Sequence, residues 1–139
     1  MDKYFKPLPI STQETREFWE GCKNHELKVQ KCLKCEVTRF PPLPMCPKCN
    51  STDTKWIPVS GKGKVYSWII VHHPIIDSFR EDVPMVIALV DLEGGGRIVT
   101  NLIECDPVNI KVNMEVIVEF VDVTEEHTLP KFKPISNLL

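Results

Sequence analysis

No stretch of this 139-residue sequence approaches eighteen consecutive apolar residues, so no membrane-spanning helix can be read from it. The first residues, Met1-Asp2-Lys3-Tyr4-Phe5, carry neither an apolar signal core nor a cleavage site, and the expected location is the cytoplasm. Internal repeats and low-complexity tracts are absent. So are paired acid–base carboxylates, a Ser-centred hydrolase elbow and a dinucleotide-binding fingerprint, which removes the usual motif support for a stand-alone hydrolase or dehydrogenase. Ser60-Gly61-Lys62-Gly63-Lys64 lacks both the spacing and the following helix of a P-loop. It reads as a tight turn into a strand, although its two lysines can still meet a phosphate. Only one segment has helical periodicity, and twelve prolines argue against an all-helical bundle.

What is present is an ordinary globular composition, 42% hydrophobic and 26% charged. A mass of 16.0 kDa allows one domain, or a small module attached to a larger one. The net charge of −2 hides an asymmetry. Residues 1–64 hold twelve Lys/Arg against seven Asp/Glu, and residues 65–139 hold five against twelve. The C-terminal half is therefore a poor polyanion binder, whereas the N-terminal half suits an anionic ligand or an acidic partner.

Residues 11–24 read as an amphipathic helix, capped by Ser11 with Glu14 three residues on and carrying Phe18, Trp19 and Cys22 as its apolar stripe. His25 to Lys31 alternates in strand period, and residues 32–49 are rich in cysteine and proline. Further strands are expected at 54–59, 64–73, 85–92, 97–104, 115–123 and briefly near 130–133. Gly94-Gly95-Gly96 forms a hairpin turn between two Val/Ile/Leu-rich runs. Short strands at this spacing, with no second helix, predict a mainly β chain: an N-terminal extension and helix (1–26), a ribbon (27–59) and a small five-stranded Greek-key barrel (60–139). Residues 74–84, between Pro74 and Pro84, form the longest expected barrel loop.

Cys32-x-x-Cys35 and Cys46-x-x-Cys49 carry the strongest signal. Each pair can present two thiolates from a tight knuckle, and the ten-residue excursion between them brings the second pair round to complete a tetrahedron. Without a secretory signal, incidental pairs or disulfides are the weaker reading. Zinc is the expected ion and iron in a rubredoxin-like site its rival. A closed four-cysteine shell leaves no position for water or substrate, so this metal folds the module and does not catalyse. Cys105 is a candidate nucleophile, but nothing in the sequence pairs it with His72, His73 or His127, and a buried small hydrophobe is the plainer reading. Tyr66, Trp68, Ile70 and His72 lie on one face of a strand pattern; a base-stacking face would need a basic groove, so core packing is expected.

The order of these features resembles a known family. After the helix come Phe40-Pro41-Pro42 and Cys46-Pro47-x-Cys49, then Ser60-Gly61-x-Gly63-x-Val65-Tyr66-Ser67. Asn101-Leu102, Cys105-Asp106-Pro107 and Leu129-Pro130-x-Phe132-x-Pro134 close the series. Over nearly its whole length the chain is similar to the acyl-CoA-associated OB-fold family with a rubredoxin-like zinc ribbon, long catalogued as a domain of unknown function. The resemblance implies an OB-fold barrel, a structural zinc on Cys32, Cys35, Cys46 and Cys49, and a non-catalytic accessory role beside thiolase-fold enzymes. In archaea it implies a complex joining acetyl-CoA acetyltransferase to HMG-CoA synthase in the mevalonate route of isoprenoid biosynthesis. Other members accompany aldolases or hydratases of steroid side-chain degradation, or acyltransferases.

Coenzyme A or acyl-CoA is then the expected shared ligand, and a thiolase-type enzyme with HMG-CoA synthase the expected partners. Candidate CoA-binding or partner-facing residues are Arg39, Phe40, Lys62, Lys64, Ile75, Ile76 and Phe79. Members of the family often have a basic residue after Phe-Pro-Pro, where this chain has Leu43. Two readings from other classes stand beside this one: a nucleic-acid-binding ribbon and barrel, disfavoured by charge, and a CoA-dependent enzyme using Cys105.

Overall fold

A computed structural model describes residues 4–135; the outermost residues assigned above to the N-terminal extension and to the barrel lie outside the described residues. No helix among the described residues is long and apolar enough to cross a membrane. The chain first makes a turn at residues 12–15. The Thr12 amide donates to Thr15 Oγ1 at 2.9 Å and the Thr15 amide to Thr12 Oγ1 at 3.3 Å. This reciprocal box replaces the one expected between Ser11 and Glu14. It uses up the first turn, so the helix α1 spans only Arg16–Lys23. Phe18 and Cys22 are buried beneath it, and burial pushes the Cys22 thiol up to about 12, which leaves it inert. His25, at φ 59°, ends the helical segment; its ring stacks on Phe120 and its Nε2 lies 3.0 Å from Asp122 Oδ1.

A three-stranded antiparallel sheet follows, in the order β2-β1-β3, from β1 (Lys28–Cys32), β2 (Thr38–Arg39) and β3 (Thr54–Pro58). The alternation at 25–31 anticipates β1. The two-residue β2 has no periodicity to betray it. The rest is a closed five-stranded barrel, β4 (Lys62–Val71), β5 (Met85–Leu92), β6 (Arg97–Leu102), β7 (Glu115–Asp122) and β8 (Thr128–Pro134), in the order β4-β5-β6-β8-β7 and closing back on β4. β5 alternates strictly between half-buried and buried residues, as a barrel wall requires. β6 and β8 run parallel and share a single register pair, Leu102 with Phe132, so this seam is the least zipped side of the barrel.

The face of β4 expected to pack inward is split. A bulge between Val65 and Ser67 inserts one residue against β5. Val65 stays fully buried and Trp68 and Ile70 pack on the core, but Tyr66 and His72 turn out to solvent. The Arg97 guanidinium lies 3.7 Å above the Tyr66 ring and donates from Nε to Asp91.

One hydrophobic core runs from Phe18, Cys22, Leu27 and Val29 into the barrel residues Val65, Val90, Val116 and Phe132. The ribbon is also clamped to the β5–β6 hairpin. Thr38 Oγ1 donates to the Gly94 carbonyl at 2.6 Å, and the Arg97 amide donates to the Phe40 carbonyl at 3.1 Å. Gly95 and Gly96 have φ of +112° and +93°, and a Cβ on Gly96 would stand 2.7 Å from Phe40 Cβ. Gly96→Ala is therefore expected to cost about 2 kcal/mol, combining left-handed strain with the clash. Thermal denaturation should show a clear fall in Tm, whereas Glu93→Ala, exposed in the same turn, should leave Tm unchanged.

Candidate functional site

Two tight knuckles bring the four cysteines together. In the first, the Cys32 amide donates to the Val37 carbonyl and the Glu36 amide back to the Cys32 carbonyl. In the second, the Cys46 amide donates to Ser51 and the Asn50 amide to Cys46. Glu36 and Asn50, each four residues after the leading cysteine, both take left-handed φ values, 66° and 64°. The two loops are thus copies of one local solution, with Asn tolerating that conformation better than Glu.

The four Sγ atoms lie within 4.8 Å of one another, with Cys32–Cys49 at 3.5 Å and Cys35–Cys46 at 3.6 Å. A disulfide needs sulfurs about 2.05 Å apart. A tetrahedron with metal–sulfur bonds of 2.3 Å has edges of about 3.8 Å, close to these separations. Backbone amides prepare the sulfurs for that ion. The Cys35 amide, followed by that of Lys34, lowers Cys32 to about 6 against the opposing effect of burial. The Cys49 and Lys48 amides draw Cys46 down in the same way. Cys49 receives the Ser51 amide, which lowers it, yet lost hydration and the three neighbouring sulfurs push it up to about 11. A divalent cation removes that conflict, and the donor set fits zinc.

Arg39 is tied into the ribbon, with its Nε and Nη1 buried and without a hydrogen-bond partner among the described residues. It is only 7% exposed, and its Nη2 donates to the Leu43 carbonyl at 3.1 Å and Thr54 Oγ1 at 2.8 Å. The Leu43 amide in turn donates to Gln30 Oε1. Arg39 and Gln30 together pin the segment entering the second knuckle, a reason for burying a cation that the sequence does not display. Leu43 itself stays exposed.

The other candidates fall in separate places, except that Phe40 and Phe79 line neighbouring clefts. Lys62 and Lys64 stand in a groove with Asp91, Glu93 and Glu115, so the local charge there is not positive. Ile75, 80% exposed, and Ile76 project from the β4–β5 loop, which the 3₁₀ turn Asp77–Phe79 stiffens. Phe79 lies under the N-terminal segment, where Lys6 spans its ring and pairs with Asp82 at 2.6 Å. Phe40 packs on Phe18 at 4.8 Å between ring centroids and lines a cleft of about 350 Å³ between α1 and the β6–β8 seam. Burial and Asp106 raise the Cys105 pKa, and its thiol donates to the Asp106 carbonyl, which disfavours the thiolate a nucleophile needs. His127 is engaged with Thr124.

Two family models match the chain: the ChsH2 rubredoxin-like zinc ribbon domain over residues 19–54 and the ChsH2 C-terminal OB-fold domain over residues 56–121. A probable enoyl-CoA hydratase alpha subunit of Thermomonospora curvata is 38% identical over 95% of this chain. The chain spans only 41% of that protein's length. A DUF35 domain-containing scaffold protein of Methanocaldococcus jannaschii is 37% identical over 77% of this chain and 80% of its own length. Among solved structures, the Ltp2-ChsH2(DUF35) aldolase superposes with a TM-score of 0.82 at 38% identity, covering 91% of this chain and 98% of that one. With both halves matched in order and a scaffold relative covered over most of its length, the chain belongs to the DUF35 family, a ChsH2-type zinc ribbon carried on an OB-fold barrel.

Proposed function

We propose that this chain is a non-catalytic accessory subunit of an acyl-CoA enzyme complex, holding a catalytic partner and sharing its acyl-CoA. The observation that carries this reading is the 37% identity to a scaffold protein over four fifths of that protein's length, joined to likeness with a hydratase subunit and an aldolase complex. The geometry supports it. A ribbon and a barrel clamped through Phe40 and Gly96 present two faces at a fixed angle, and Ile75 and Ile76 give the barrel loop an apolar tip suited to a partner surface. The partner class is an enzyme acting on acyl-CoA thioesters. A thiolase-type enzyme with HMG-CoA synthase is one form of that partnership, and a hydratase or aldolase of the kind found in the relatives is another. A nucleic-acid role finds little support, since Lys62 and Lys64 share their groove with three carboxylates.

Cys32, Cys35, Cys46 and Cys49 hold one structural zinc in this reading. Metal analysis should find one zinc per chain, and Cys46→Ser should abolish it and unfold the ribbon while much of the barrel keeps its amide protection. Stoichiometric iron with a visible charge-transfer band would mark an electron carrier instead. A well-folded ribbon without metal would overturn both.

A tagged chain recovered from its own organism should bring down an acyl-CoA enzyme in fixed stoichiometry. The purified chain alone should turn over no acyl-CoA. Turnover by the purified chain that disappears in Cys105→Ala would make it an enzyme and end the accessory reading.

A further inference from the structure

The β6–β8 seam is flanked by two adjoining clefts. One, of about 350 Å³, is walled by Phe18, Trp19, Phe40, Pro41 and Pro130. The other, of about 470 Å³, lies beneath Tyr4, Lys6 and Phe79. Asn101, Leu129 and Lys131 border both. Lys131 is half-buried on β8, and no carboxylate among the described residues pairs with its ammonium. Its cross-strand neighbour Glu119 is taken by Lys133, and Asp82, whose field reaches it, is taken by Lys6. Asp82 and Glu104 also line the second cleft, but they pair with Lys6 and Lys133, which leaves Lys131 the ammonium there without a carboxylate of its own. Lost hydration, then the Lys6 charge, lower its pKa against the opposing pull of Asp82. The Asn101 amide nitrogen donates to the Val86 carbonyl, which fixes the side chain beside it.

An apolar slot that ends at an unpaired, partly desolvated ammonium is complementary to one kind of small molecule. We infer that the β6–β8 seam binds an apolar chain with an anionic head, the chain lying between Trp19, Phe40 and Pro130 and the head meeting Lys131. A carboxylate or a phosphate would satisfy the head. The slot volume lies at the lower end of the range for small-molecule sites, enough for a short acyl chain. Naming the chain an acyl group rests on the acyl-CoA reading above; the anion site at Lys131 does not.

The test uses the full-length chain and octanoate as the probe, followed by calorimetry and by the amide and indole resonances of Trp19 and Asn101. Octanoate should saturate and shift those resonances, while octanol should bind about tenfold more weakly. Lys131→Gln should weaken octanoate by about tenfold, and Lys131→Arg should keep it within about threefold. If Lys131→Gln fails to fold, Lys131→Met, which keeps the apolar stem and removes the charge, carries the comparison. Equal binding of octanol and octanoate, indifference to Lys131, or shifts away from the seam would overturn the site. Displacement of octanoate by both coenzyme A and inorganic phosphate would identify a phosphate head. Octanoate binding that is intact and Lys131-dependent but untouched by coenzyme A would keep the site and remove acyl-CoA as its ligand.

Discussion

Four thiol groups within 4.8 Å of one another cannot all ionise without a cation between them, and the ribbon depends on that constraint. Its three strands hold five, two and five residues, too little sheet to stand alone. A structural zinc contributes on the order of 10 kcal/mol or more to such modules, far above what these strands supply. The knuckle amides lower two of the sulfurs in advance, and Arg39 and Gln30 hold the segment leading to the second pair. The ion is thus a fold-determining crosslink with no open coordination position and no direct part in chemistry.

The barrel gains a rigid outrigger from this arrangement. Thr38 and Phe40 dock on the Gly94–Gly96 hairpin, Phe18 and Cys22 join the same core as the barrel valines, and His25 reaches back to Asp122 and Phe120. Relative motion of the two parts would break all of these contacts together. A subunit that orients an enzyme requires such stiffness, whereas a CoA-dependent enzyme working through Cys105 would require an activated thiolate. Cys105, its pKa raised and its thiol bonded to the Asp106 carbonyl, does not meet that need.

Much of this architecture is legible in the residues. The paired Cys-x-x-Cys motifs announce the metal centre because the ligand spacing is local. β5 falls where its Val/Ile/Leu-rich run places it, and the triple glycine marks the hairpin. What escapes the sequence depends on distant contacts or on single-residue irregularities. The bulge at Tyr66 turns a continuous apolar pattern inside out at one point, and no local signal encodes it. Arg39 looks like a surface cation, but its hydrogen-bond partners lie four and fifteen residues away. The seam clefts draw on residues near 18, 40, 100 and 130, so no single motif can reveal them. Lys62 and Lys64 look basic in sequence, yet folding brings Asp91 and Glu115 beside them.

The accessory role is tested most directly by comparing flux through two consecutive acyl-CoA steps with the separate rate of each, using the partner enzymes with and without this chain. The account predicts that omitting the chain lowers the coupled flux several-fold more than either separate rate, because the catalytic groups stay in place while their relative placement is lost. Equal loss in all three rates would show a stabiliser of one partner's fold, and no loss in any would contradict the scaffold role outright.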